Sequence, residues 1–223
     1  MNKSALVAKA EKIDSILAGS YGERKQTGLR DPTEELILTV LSQNTNDTNR
    51  DRAYRALREA YLSWDDVAAA GARRIARAIQ VGGLANIKSK RIIRILKQIK
   101  AGSPGYSLAF LNEMPDDEIW KYLNRFNGVG PKTASCVMMF ALGRNAMPVD
   151  THVHRVGRRL GLIPKDFSAE RAHEWFRELS LPVDLHQLHL NMISHGRALC
   201  RPSNPKCGQC PLKRICLYPK ENG

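Results

Sequence analysis

The most chemically suggestive stretch of the 223-residue chain runs Leu123-Asn124-Arg125-Phe126-Asn127-Gly128-Val129-Gly130-Pro131-Lys132-Thr133-Ala134. The pattern predicts a helix that stops, a tight turn made by two glycines, and a second helix begun by Pro131 at its first position and running through Met139. Backbone N–H groups at that second start, uncovered by bulky side chains, suit a phosphate. Such a contact would hold a nucleic-acid backbone without reading its bases. Lys132 falls in the first turn, where the positive end of the helix dipole disfavours a cation. A lysine there has two chemical uses: contact with a phosphate, or service as an amine nucleophile.

Eighteen residues further on comes Pro148-Val149-Asp150-Thr151-His152-Val153-His154-Arg155-Val156. Asp150 or Thr151 caps the helix that follows, and capping is the plain structural reason for an aspartate at this place. A carboxylate at one helix start could also face Lys132 at another and accept or relay its proton.

The third group is the cysteines. Four of the five, Cys200, Cys207, Cys210 and Cys216, lie in the last 24 residues with six, two and five residues between them. Short loops rich in turn formers (Pro202, Pro205, Gly208, Pro211) let four thiolates wrap one compact centre. Iron–sulfur and tetrahedral zinc both suit four thiolates, but zinc ribbons more often use two Cys-x2-Cys pairs, and this segment has one. Five cysteines do not divide into pairs, and disulfides have little use in a reducing compartment. Cys136, among Val137, Met138, Met139 and Phe140, reads as a buried core thiol.

Gly128-Val129-Gly130-Pro131-Lys132-Thr133-Ala134 followed by Val149-Asp150-Thr151-His152 resembles the helix-hairpin-helix glycosylases of the endonuclease III family, and the resemblance extends over almost the whole chain. It implies that Lys132 is the catalytic lysine, that Asp150 is the catalytic aspartate, and that the four terminal cysteines hold a [4Fe–4S] cluster. The activity implied is that of a DNA glycosylase and AP lyase acting on oxidised or ring-saturated pyrimidines in double-stranded DNA, or on abasic sites. A monofunctional adenine-mismatch glycosylase shares the hairpin, aspartate and cluster; Lys132 and the end of the sequence at Gly223 speak against it. A noncatalytic DNA-binding module would use Lys132 for phosphate and Asp150 only as a cap.

The same resemblance makes Leu84, in Gly82-Gly83-Leu84, the wedge that fills the gap left by an extruded base, an apolar replacement for lost stacking. Without it, Leu84 reads as a buried loop anchor. Gln43 and Asn44, in the amide-rich Leu41–Asp47 stretch, can cap a turn or pair with base edges. Many family members have glutamine where this chain has Asn44. The expected DNA contacts are therefore Gln43, Asn44, Leu84, Lys88, Gly128, Gly130, Thr133, His152 and Arg155. Lys88 leads a run with Lys90, Arg91, Arg94, Lys97 and Lys100, for which a solvated helix face is the ordinary explanation. Arg155, Arg158 and Arg159, and Lys206, Lys213 and Arg214 beside the cysteines, form two further basic groups.

The elements that must position these residues are helices. Apolar residues recur at helical spacing (Leu36, Ile37, Val40, Leu41; Ile92, Leu96, Ile99; Ile119, Leu123, Phe126), and no segment sustains strand alternation. Asp31-Pro32, Ser63 and Ser168 read as helix starts, while Gly82-Gly83, residues 102–105, residues 127–131 and residues 202–205 read as breaks, giving about ten helices. The expected fold is all-α, with two helical lobes and a cleft between them: by resemblance, a six-helix lobe over residues 30–144 bearing the hairpin, and a cluster lobe from residues 1–29 and 145–223. The composition is ordinary for a globular chain, 43 % hydrophobic and 26 % charged, which excludes wholesale disorder. Thirty-five Lys and Arg against 22 Asp and Glu leave a net charge of +13, a surplus that suits a polyanion. No apolar run is long enough for a membrane span, and charges interrupt the first dozen residues, so a cytoplasmic protein is expected, nucleoid-associated if prokaryotic; the resemblance implies an enzyme that works as a monomer.

Overall fold

The structure is a computed structural model that describes residues 2–218. Among these residues the regular elements are helical, eleven α-helices with four short 3-10 turns. The chain forms two compact units, residues 29–144 and residues 1–28 with 145–223.

The unit over 29–144 carries α2 (Pro32–Ser42), α3 (Asp47–Ala60), α4 (Trp64–Ala70), α5 (Ala72–Ala78), α6 (Ala85–Gly102), α7 (Asp116–Asn124) and α8 (Pro131–Phe140). Its core is built on α2 and α8, which are apolar nearly all round and pack together, burying Leu36, Ile37, Val40 and Leu41 with Ala134, Val137, Met138 and Met139. Helices of that kind belong inside a domain rather than on its surface. Each large aliphatic side chain so buried contributes roughly 1.5–3 kcal/mol before entropy is counted. Around this pair, α6 is amphipathic and turns Ile92, Ile95, Leu96 and Ile99 inward. The caps expected from sequence are present. Asp31 accepts the N–H groups of Thr33 and Glu34 ahead of Pro32, and Ser63 forms a reciprocal capping box with Asp66. Such caps contribute about 1 kcal/mol each.

The unit formed by both ends of the sequence holds α1 (Lys3–Tyr21), α9 (Thr151–Leu160), α10 (Ala169–Leu179) and α11 (Leu185–Ala198). α1 lies along α11, with Leu6, Ala10, Ile13 and Leu17 buried. Polar ties fix the pair: the Arg24 guanidinium donates to Asn191 Oδ1 at 3.3 Å, Asn191 donates to the Gly22 carbonyl at 3.1 Å, and Gln187 donates to Asp14 at 2.9 Å. No helix among the described residues is long and apolar enough to cross a membrane.

One carboxyl group sits inside the α2 core, beside the buried Thr33 and Thr39. Glu35 is 4 % exposed, accepting from Arg30 at 2.8 Å and from Thr39 Oγ1 at 3.0 Å. Burial pushes its carboxyl above the usual range, and Arg30 and Thr39 only partly oppose this. A raised native pKa means that the folded chain holds this proton more tightly than the unfolded one. The associated stability is present at low pH and is lost as pH rises through the native pKa. Relative to the native chain, Glu35→Gln is therefore expected to gain stability from about pH 4 to about pH 7, measured by denaturant unfolding; a constant difference across that interval refutes the assignment.

Candidate nucleic-acid interface and cysteine site

The hairpin closes as the sequence predicts. α7 ends at Asn124, Val129 N–H bonds to the Phe126 carbonyl at 3.0 Å, and the buried Phe126 and Val129 side chains anchor the turn from beneath. Gly130 caps α8 without a side chain, so the first-turn N–H groups of Lys132 and Thr133 have no side-chain cap at this dipole-positive end. Lys132 is exposed in that turn, which holds no acidic residue. Thr133 differs from expectation: at 4 % exposure its hydroxyl is packed inside, and what it can offer a phosphate is its backbone N–H.

Gly128 has φ +87°, and a Cβ there would run into the Arg91 side chain. Arg91 in turn donates to Gln43 Oε1, and Gln43 Nε2 lies 3.5 Å from the Gly128 carbonyl. Arg94 donates to Asn127 Oδ1 at 2.7 Å. The basic run on α6 is therefore partly occupied with protein acceptors. Lys88 corrects the sequence reading outright. It is 1 % exposed, and its ammonium donates to the Leu41 and Gly82 carbonyls, each at 2.7 Å. Burial holds its pKa below the usual lysine range. It is not on the solvated face and has no reach to a phosphate.

Asn44 and Leu84 share an unusual backbone state. Both occupy the left-handed region, at φ +51° and +49°. Asparagine tolerates that region, whereas for leucine it costs roughly 1–3 kcal/mol. Leu84 is nonetheless 48 % exposed, and Ile87, one turn on, is 56 % exposed. Leu84 is thus no buried anchor. Ile87 was not singled out from sequence, where it passes for another apolar residue of the helix.

In the other unit, Asp150 is the N-cap of α9, accepting the Val153 N–H through Oδ1 at 2.7 Å. The cap does not need its second oxygen. His152 and Arg155 point into their own unit. Arg155 donates to the carbonyls of Cys200 at 2.9 Å, Gly196 at 3.0 Å and Thr151 at 3.3 Å, and its Nη2 lies 3.1 Å from His152 Nδ1. Burial lowers the His152 pKa, and the nearby arginines add to the effect against the opposing charge of Asp150. These bonds tie α9, α11 and the cysteine segment together, while both side chains stay partly exposed.

All four terminal cysteines line one cavity, with about 390 Å³ of atom-free space including its mouth, together with Val156, Leu160, Leu199 and Tyr218. Arg159 Nη1 lies 3.3 Å from Cys200 Sγ and donates to the Arg201 carbonyl at 2.7 Å, and its guanidinium stacks 4.0 Å from the Tyr218 ring centroid. Cys216 Sγ is 3.3 Å from the Arg159 carbonyl, and Cys210 Sγ is 3.6 Å from His195 Nε2. Burial raises the Cys210 and Cys216 thiols and lowers His195 to about 4. Among the described residues, no three His, Cys, Asp or Glu side chains converge on a point that would hold a single metal ion.

Residues 37–181 match the family described as HhH-GPD superfamily base excision DNA repair protein. An endonuclease III from Thermotoga maritima is 36 % identical over 86 % of this chain and 86 % of its own. The chain belongs to the endonuclease III family. A putative DNA glycosylase from Arabidopsis thaliana is also 36 % identical over 73 % of this chain, which spans about half of that relative, 55 %. In three dimensions, a solved structure of a trapped endonuclease III–DNA covalent intermediate aligns over 99 % of this chain and 98 % of that one, at a TM-score of 0.78 and 28 % identity. The all-helical endonuclease III fold is thereby shown.

The two hairpin glycines of this family member carry different constraints. Gly128 needs its positive φ and its open face toward Arg91, while Gly130 has φ −109° and nothing within 4 Å of an added Cβ. Gly128→Ala is expected to lower unfolding stability by about 1–3 kcal/mol, and Gly130→Ala by less than about 0.5 kcal/mol. Equal losses in chemical denaturation count against this assignment.

Proposed function

We propose that the chain is a bifunctional DNA glycosylase and AP lyase that removes oxidised or ring-saturated pyrimidines from duplex DNA. The observation that carries the reading is Lys132: an exposed amine in the first turn of α8, beside N–H groups without a side-chain cap, in a member of the endonuclease III family. The likeness to a trapped endonuclease III–DNA covalent intermediate supports a covalent mechanism.

In this reading a damaged nucleotide leaves the stack, at lower cost than an intact one, because a damaged base is less well stacked and paired. Leu84 enters the vacated space, with Gln43 and Asn44 toward the orphaned partner. The amine of Lys132, its proton passed to the free oxygen of Asp150, attacks the deoxyribose C1′. The C1′–N bond breaks, and the base departs with the bonding pair and takes up a proton. Opening of the C1′–O4′ bond gives an imine between Lys132 and C1′. Loss of a C2′ proton then expels the 3′ phosphate by β-elimination, and hydrolysis of the imine frees the lysine. The alternative role for Asp150 is to stay ionised, a second residue or water taking the amine proton, so that its carboxylate stabilises positive charge on the sugar while the base leaves.

The Cys200, Cys207, Cys210 and Cys216 set suits a [4Fe–4S] cluster in its donor chemistry: all four residues line one cavity, and a cubane would take each thiolate on a separate iron. Bound there, the cluster would order the terminal loop and present Lys206, Lys213 and Arg214 to phosphates. No step of the reaction passes through it. The chain acts as a monomer in the compartment that holds the DNA.

Borohydride reduction in the presence of abasic DNA is expected to give a covalent adduct with the native protein and none with Lys132→Ala. An undiminished adduct in the variant removes the lyase mechanism. Asp150→Asn is expected to bind duplex within about threefold of native while base release falls by at least about a hundredfold, so equal turnover defeats the assigned role. Anaerobically purified protein should contain iron and sulfide; zinc alone contradicts the cluster.

A further inference from the structure

Lys88 stands in the first turn of α6, where the dipole of its own helix repels a cation, and it is buried to 1 % exposure. Its ammonium is held by carbonyls from two other segments. Leu41 belongs to the last turn of α2, whose dipole-negative end attracts a cation, and Gly82 closes the 3-10 turn ahead of Leu84. An apolar residue of the same length would leave both carbonyls without this donor. The main chain adds a further hold, since the Lys88 N–H bonds to the Leu84 carbonyl at 3.0 Å.

Two segments leave this one group. Three residues beyond Leu41 is Asn44 and two beyond Gly82 is Leu84, both left-handed and both exposed. Left-handed leucine persists only where its surroundings over-determine it. We infer that Lys88 is a positioning residue, a buried clamp that fixes the spacing and backbone state of the Asn44 and Leu84 segments so that both can enter the gap opened in the duplex. The inference rests on the glycosylase reading for what the two segments do, but not for the clamp itself. The clamp makes insertion inexpensive, because the segments are ordered before DNA arrives.

The test uses Lys88→Met, which keeps length and loses the donor. In hydrogen exchange without DNA, amides of residues 42–46 and 80–84 should exchange at least about tenfold faster, while those of Val137–Met139 in α8 stay within about threefold. With DNA carrying 2-aminopurine opposite an abasic-site analogue, the fluorescence change on binding should be lost. Single-turnover base release should fall by about a hundredfold, with borohydride trapping at a preformed abasic site within about threefold of native. Unchanged exchange in the two segments overturns the clamp, as does a rise shared equally by α8. Native-like fluorescence and base release in the variant overturn its role in insertion. If the native chain itself releases no base, the glycosylase reading fails while the exchange result still decides the clamp. Should Lys88→Met not fold, Lys88→Gln retains one donor group and is expected to give intermediate exchange; exchange equal to native overturns the proposal.

Discussion

A buried ammonium is tolerable only where acceptors replace the water it has lost. Lys88 has such acceptors in two carbonyls that themselves lie at the roots of exposed segments, and much of the unit over 29–144 is organised around that exchange. One helical turn further along α6, Arg91 reaches Gln43 and supports Gly128; another turn on, Arg94 holds Asn127. Three cations at intervals of three residues thus secure the end of α2, the Leu84 turn and the hairpin to a single helix. The α2–α8 core beneath supplies the rigidity that makes these ties worth having, because a cation can only register loops against something that does not move.

The unit formed by the two ends of the sequence uses arginine in the same way. Arg155 and Arg159 spend their donors on the carbonyls of residues 151, 196 and 200–202 and on the Cys200 sulfur. Planar guanidinium groups suit this work, since one side chain can satisfy several carbonyls that a loop without secondary structure would otherwise leave to water. The cysteine segment is thereby joined to α9 and α11. The charge surplus of +13 is accordingly divided between two tasks. Cations such as Lys90, Lys97, Arg158, Lys206, Lys213 and Arg214 remain exposed and can attract a polyanion, while Lys88, Arg91, Arg155 and Arg159 hold the fold.

Much of this was legible in the residues. The helices, the caps at Asp31, Ser63, Asp150 and Ser168, and the hairpin turn are local: propensity, a proline at a first position and a side chain within three residues decide them. Cysteine spacing is local too, and it brought the four thiols to one cavity. The DNA contacts were read less well. Lys88 looked like one more cation on a solvated stripe, because its acceptor at Leu41 lies 47 residues away and no periodicity records it. The burial of the Thr133 side chain and the carbonyl partners of Arg155 are equally invisible in the sequence, because folding supplies them. Leu84 went the other way, exposed where an apolar loop residue ordinarily hides.

By itself, then, the sequence determined an all-helical chain, a hairpin with a lysine at an unfavourable helix end, an aspartate cap and four closely spaced cysteines, since each rests on near neighbours along the chain. Only the tertiary structure decided which cations meet solvent and which are buried. The fate of a charge depends on the carbonyls and ring faces that distant segments bring to it, because a charge gives up its water only where such partners replace it.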